Sequence, residues 1–117
     1  MSGEPAAALT LKRMDGPILN DAAINSAPWW DDYFQGQWDS CGGSERTRYF
    51  METLLSNLPQ LEKAYLAGDS LTILDWGCAF GEGVAALARA FPRSRVAGLD
   101  FSRTAIGQAS VRNAGHE

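Results

Sequence analysis

The sequence predicts an α/β fold: one strand–helix–strand unit with a further helix behind it and helices ahead of it. Three observations carry this. Leu71, Thr72, Ile73 and Leu74 form a short apolar, β-rich run that reads as a buried strand. A glycine-rich stretch follows and leads into Val84, Leu87, Ala88 and Phe91, spaced as one face of a helix that Pro92 stops. Residues 95–99 form a second strand-like run, closed by Asp100. Ser102 stands where a helix cap belongs. The pattern predicts a helix from Arg103 to Asn113, with Gly115 just past its end.

The segment ahead of this unit divides in two. Residues 1–27 are rich in alanine, with Gly3, Pro5, Gly16 and Pro17 as breakers and Pro28 beyond them. They are expected to form a weakly ordered tail, with Leu9, Leu11 and Met14 as a short apolar stripe. Residues 28–70 are expected to form an aromatic segment and leading helices, arranged like a lid. Trp29, Trp30, Tyr33, Phe34 and Trp38 crowd into ten positions. Such rings either cover a core edge or wall a ligand pocket, and the covering role is favoured. Ser44 is expected to cap a helix to about Leu58, with Phe50, Met51, Leu54, Leu55 and Leu58 on one buried face. Pro59 opens a second short helix, from Gln60 to Ala67, which Gly68 ends.

Composition excludes several classes. The 117 residues allow one domain, and 10 Lys+Arg against 14 Asp+Glu leave a charge of −4. That balance argues against a basic nucleic-acid footprint. The longest charge-free runs, residues 22–30 and 53–61, have nine residues each, far short of the about 20 a membrane helix needs. Glu4 precedes the first apolar stretch and the basic pair follows it, the wrong order for a secretory signal. Cys41 and Cys78 make neither a disulfide framework nor a zinc site, so a reduced, cytoplasmic setting is expected. His116 is the sole histidine, which argues against a catalytic triad or a histidine-held metal.

The specific chemistry lies in the loop and the acid. Glycines between a strand and a helix let the backbone approach a ligand, and the helix start offers N–H donors. An acid at the end of the next strand is placed to accept from a ribose. Asp100 lies 23 residues after Gly77, near the roughly 20 expected of that acid. An adenosine-type cofactor is therefore expected. The dinucleotide spacing G-x-G-x-x-G fails in both frames. From Gly77 it meets Ala79 and Glu82, and from Gly81 it meets Gly83 but then Ala86. Glu82 would also set a negative charge against a pyrophosphate.

Asp75-Trp76-Gly77-Cys78-Ala79-Phe80-Gly81-Glu82-Gly83 resembles the first motif of the class I S-adenosylmethionine-dependent methyltransferases. That motif reads D-x-G-x-G-x-G, often with cysteine after the first glycine. The match holds at Asp75, Gly77, Cys78, Gly81 and Gly83, while Ala79 replaces the central glycine. A methyl group there is tolerable where φ is negative. Residues 96–102 resemble the family's second strand and its ribose-binding acid, and residues 103–109 the helix that follows. The resemblance implies a Rossmann-like sheet and S-adenosyl-L-methionine as cofactor. The loop from Gly77 through Cys78 and Ala79 to Gly81 would hold the methionine end. Asp75 would shape the loop near the amino group, Asp100 would take the ribose hydroxyls, and Phe101 would pack near the adenine. Arg46 and Arg48 are read as a solvated helix face, and Cys78 as packing.

The sheet of such enzymes usually has seven strands, and this sequence supplies two. Residues 71–117 are therefore expected to be the start of a methyltransferase domain, with the chain as its cofactor-binding half, inactive alone. Its sheet is expected to have open edges and an uncovered face. The complete enzyme would transfer a methyl group to a small-molecule, lipid or sugar acceptor. Two alternatives stand beside this: a non-catalytic module that binds a protein through its aromatic segment, and an NAD(P)-binding enzyme, which the loop spacing disfavours.

Overall fold

Backbone hydrogen bonding in the computed structural model, which describes residues 23–115, pairs β1 (Thr72–Trp76) with β2 (Arg95–Leu99) in parallel. The register sets Leu74 opposite Ala97 and Trp76 opposite Leu99. Five helices complete these residues: α1 (Ala27–Gly36), α2 (Gly43–Asn57), α3 (Gln60–Gly68), α4 (Glu82–Ala90) between the strands, and α5 (Arg103–Arg112). The expected strand–helix–strand unit is present, and the architecture is a small α/β domain.

Side chains alternate across a strand, so the two sheet faces differ. Ile73, Asp75, Val96 and Gly98 form one face, and α4 lies on it. A Cβ at Gly98 would come within 2.8 Å of the Val84 side chain, so a bare α-carbon lets the helix sit this close. Leu74, Trp76 and Leu99 form the other face and are 57%, 86% and 43% exposed. A parallel sheet ordinarily carries helices on both faces. Among the described residues nothing covers this second face, as the sequence led us to expect.

The helices form for local reasons, several of them different from the expected ones. The Ser26 hydroxyl accepts from the Trp29 N–H at 3.4 Å and caps α1. Pro28 falls in its first turn, where a missing N–H costs nothing, so it starts a helix and does not break the chain. The expected tail therefore ends before residue 27, and its residues 1–22 lie outside the described part. Ser44 does not cap α2. Gly42, in the left-handed region at φ +71°, holds that position, and Ser44 is buried inside the helix with its hydroxyl donating to Asp39. The single buried face expected for α2 is split. Met51, Leu55 and Leu58 are half-buried, whereas Phe50 and Leu54 are 66% and 53% exposed. The run is five wide, and α4 covers only part of it.

β1 runs on through Asp75 and Trp76, further than the apolar run predicts, because the parallel ladder continues to the end of β2. α3 includes Gly68, with Asp69 as its cap. The cap at Ser102 is as expected: its hydroxyl accepts from the Ala105 N–H at 3.1 Å.

A buried cluster of Phe34, Ala79, Phe80 and Ala105, with Trp30 and Trp38 against it, joins α1, the loop and α5. α1 packs on α5, and α2 packs on α4. The aromatic segment thus covers the loop end of the sheet.

Candidate functional site at the glycine loop

β1 ends at Trp76, and the chain must turn sharply to enter α4. Gly77 makes the turn at φ +75°, a conformation that needs no Cβ. Its N–H and that of Cys78 both donate to the Leu99 carbonyl, at 2.7 and 3.0 Å, so the loop folds back over the end of β2. The Gly81 N–H donates to the Cys78 carbonyl at 2.9 Å. Gly81, at φ +86°, then caps α4. A Cβ at Gly77 would meet nothing within 4 Å, so this side of the loop is open to a ligand.

Ala79 stands at φ +48°, against the negative φ expected to make a methyl group tolerable. A left-handed alanine costs roughly 1–2 kcal/mol. The surroundings hold it there: the residue is buried, and its N–H donates to Asp100 Oδ2 at 3.0 Å.

Asp100 binds the loop and the next helix together. Oδ2 accepts from Ala79, and Oδ1 accepts from the Ser102 N–H at 2.9 Å. Asp75 lies half-buried on the helix-covered face of β1. A Cβ at Gly83 would come within 2.5 Å of its Oδ2, so glycine in the first turn of α4 makes room for this carboxylate. Burial pushes the Asp75 carboxyl above its ordinary range, and the nearby charge of Asp100 adds to the rise. Among the described residues neither acid has a basic partner in an ion pair. The site therefore holds uncompensated negative charge.

The remaining predicted residues divide. Phe101 is 58% exposed beside Asp100, and with Trp76 it offers apolar surface at the strand ends. The Cys78 side chain turns inward, where a Cβ on Gly98 would come within 2.7 Å of its Sγ. Burial raises its thiol to about 11, with Asp100 and Asp75 adding to the effect. It is a packing side chain, and only its backbone faces the loop. Arg48 pairs with Glu45 at 3.6 Å on the exposed face of α2.

Several residues that matter here have no sequence signal. Asp31 on α1 accepts a close hydrogen bond from the Ser102 hydroxyl, and one from the Thr104 N–H at 3.1 Å. Arg112 at the end of α5 pairs with Asp39 at 2.7 Å and Glu82 at 3.2 Å, and its guanidinium lies 4.4 Å from the Phe80 ring centroid. Glu82 thus turns toward α5, and its charge is partly met there. The clash it was expected to make with a pyrophosphate is correspondingly smaller. A cavity of about 260 Å³ opens between α2, α4 and α5, with Arg48, Arg89 and Glu82 on its walls.

Among the described residues no group of three or more His, Cys, Asp or Glu side chains could hold a metal ion, and no helix is long and apolar enough to cross a membrane. Comparison with protein-family models, with curated proteins and with solved structures finds no match to this chain.

Proposed function

We propose that this chain binds S-adenosyl-L-methionine at the glycine loop and is the cofactor-binding part of a class I methyltransferase. The observation that carries the reading is the pair Asp75 and Asp100, close enough for the charge of one to raise the other, at the two strand ends that the glycine loop joins, with no ion-pair partner among the described residues. A ligand that brings positive charge relieves that arrangement. S-adenosylmethionine brings a sulfonium and an ammonium, whereas a dinucleotide brings two phosphates. Asp100 retains acceptor capacity for ribose hydroxyls, since each carboxylate oxygen takes more than one hydrogen bond. Exposed Phe101 offers a face for adenine.

When bound, the cofactor supplies an electrophilic methyl group. The chain's residues hold and orient it, and alignment of donor with acceptor provides the acceleration. The acceptor we infer is a small molecule, lipid or sugar, because the acidic chain lacks a basic footprint for nucleic acid.

Calorimetric titration of S-adenosylhomocysteine tests the reading, with NADH as the competing ligand. Saturable binding of the first, none of the second, and weaker binding by Asp100→Asn are expected. Asparagine keeps an acceptor for the loop while removing the charge. Binding of NADH alone, or of neither ligand by a folded chain, overturns the proposal.

A further inference from the structure

Ser102 is fully buried and bonds in three directions. Its N–H donates to Asp100 Oδ1, its hydroxyl donates to Asp31 Oδ1, and the same hydroxyl accepts from the Ala105 N–H. Asp31 belongs to α1, and 71 residues separate it from Ser102. The same helix carries Phe34, whose ring centroid lies 5.4 Å from that of Phe80 in the loop, with Trp38 just beyond at 6.0 Å. Gln35 Nε2 adds a bond to Thr104 at 3.3 Å. One helix therefore grips both walls of the site: the loop through Phe80, and the acid Asp100 through Ser102.

We propose that Asp31 is a positioning residue of the ligand site, and that docking of α1 through the Asp31–Ser102 bond and ligand binding at Asp100 strengthen each other. This rests on the cofactor reading above. The physical basis is linkage. Docked α1 fixes Ser102, which fixes one oxygen of Asp100, and Asp100 in turn fixes the strained Ala79 N–H. A ligand that needs this geometry favours docked α1. Reciprocity then requires that docked α1 favours the ligand by the same factor. Asp31 bonds to Ser102 and Thr104, and it acts through them at the start of α5. With Asp31 removed, the aromatic contacts and the Gln35–Thr104 bond hold α1 less firmly, and the ligand must bear the cost of re-docking it.

The test combines calorimetry with amide hydrogen exchange, using S-adenosylhomocysteine as the probe. In the wild-type chain the probe is expected to slow exchange across residues 27–36. Asp31→Ala is expected to lose roughly tenfold in affinity and to lose that added protection. Asp31→Asn keeps an oxygen acceptor for Ser102 and is expected to recover part of both. The circular-dichroism melt of each variant shows whether it is folded, and if Asp31→Ala has lost its fold, Asp31→Asn and Asp31→Ser, which leave the α5 cap at Ser102 in place, are compared in its stead. Wild-type binding with no slowing at residues 27–36, or unchanged affinity in folded Asp31→Ala, overturns the coupling while leaving the cofactor reading intact. Absence of probe binding to folded wild-type chain overturns the cofactor reading, and the coupling with it.

Discussion

The Ala79 N–H donates to Asp100 Oδ2 at 3.0 Å, joining a strained loop residue to the acid that ends the second strand. The same carboxylate also takes the Ser102 N–H. Replacing it with a methyl group leaves two backbone donors without their partner. We expect Asp100→Ala to lose about 1–3 kcal/mol of stability, and Asp100→Asn somewhat less, because its one oxygen still serves one of the two N–H groups while its amide NH2 faces the other. Urea denaturation of the two variants measures the difference. Equal losses would mean that one acceptor oxygen does not suffice to hold the loop.

Glycine and alanine in the loop answer to different constraints. Gly81→Ala forces a left-handed alanine whose Cβ lies 2.4 Å from Asn113 Nδ2 and 3.3 Å from Ala109 Cβ. Strain alone costs roughly 1–2 kcal/mol, and the contact with α5 adds to it. Ala79→Gly removes the existing strain but also a buried methyl group worth about 0.8 kcal/mol. We expect Gly81→Ala to destabilise distinctly and Ala79→Gly to stay near neutral. Denaturation midpoints of both variants in one buffer decide this.

The two cysteines should separate by reactivity. Cys41 is exposed, while Cys78 is buried with its thiol pushed up to about 11. At about pH 8 a thiol-specific reagent should label one cysteine quickly and the second only with unfolding. Peptide mapping should place the fast label on Cys41.

Acid should act on the carboxylates in opposite directions. The Ser102 hydrogen bond holds Asp31, and the Arg112 hydrogen bond holds Asp39, below the 3.8 of a free carboxyl. Each contributes stability above that value and loses it as pH falls through the lowered folded pKa. Asp75 is raised by burial, so its ionisation costs stability at neutral pH, and the cost disappears as pH falls through its raised value. The ligand's ammonium beside Asp75, the one positive group that S-adenosylhomocysteine keeps, draws its pKa back down. Affinity for S-adenosylhomocysteine should therefore rise with pH across that titration, and Asp75→Asn should flatten the profile. Calorimetry across mildly acidic pH measures both slopes.

What the sequence made legible was local. Ser102 caps α5 because a serine before a helical pattern bonds its own first turn, and the second strand closes where its apolar run meets Asp100. Ser44 misled because a better start, the left-handed Gly42, stands two positions earlier. Phe50 and Leu54 read as buried because they are apolar, yet the part of α2 facing α4 is too narrow to take them. Of the site, Asp100 and the loop glycines were legible from spacing, and the structure brings them together. Its supports were not. Asp31 and Ser102 meet across 71 residues, and Arg112 reaches Asp39 across 73. A single sequence carries no trace of such pairs, because only the packing of α1 and the turn after it on α5 creates them. The positive φ of Ala79 was hidden because an alanine, unlike a glycine, gives no sign of a left-handed backbone.

The placement of the four tryptophans gives the chain built-in optical reporters. Trp29, Trp30 and Trp38 lie in or just after α1, with ring centroids of Trp29 and Trp30 4.9 Å apart, and Trp38 packs on Phe80. Trp76 stands alone at the end of β1 and is 86% exposed. Emission from the three half-buried rings is expected to lie to the blue of that from Trp76, which is expected to emit much as in water. The blue side of one spectrum follows the aromatic helix, the red side follows the bare end of the sheet, and the two can be resolved by quenching with iodide and with no added label.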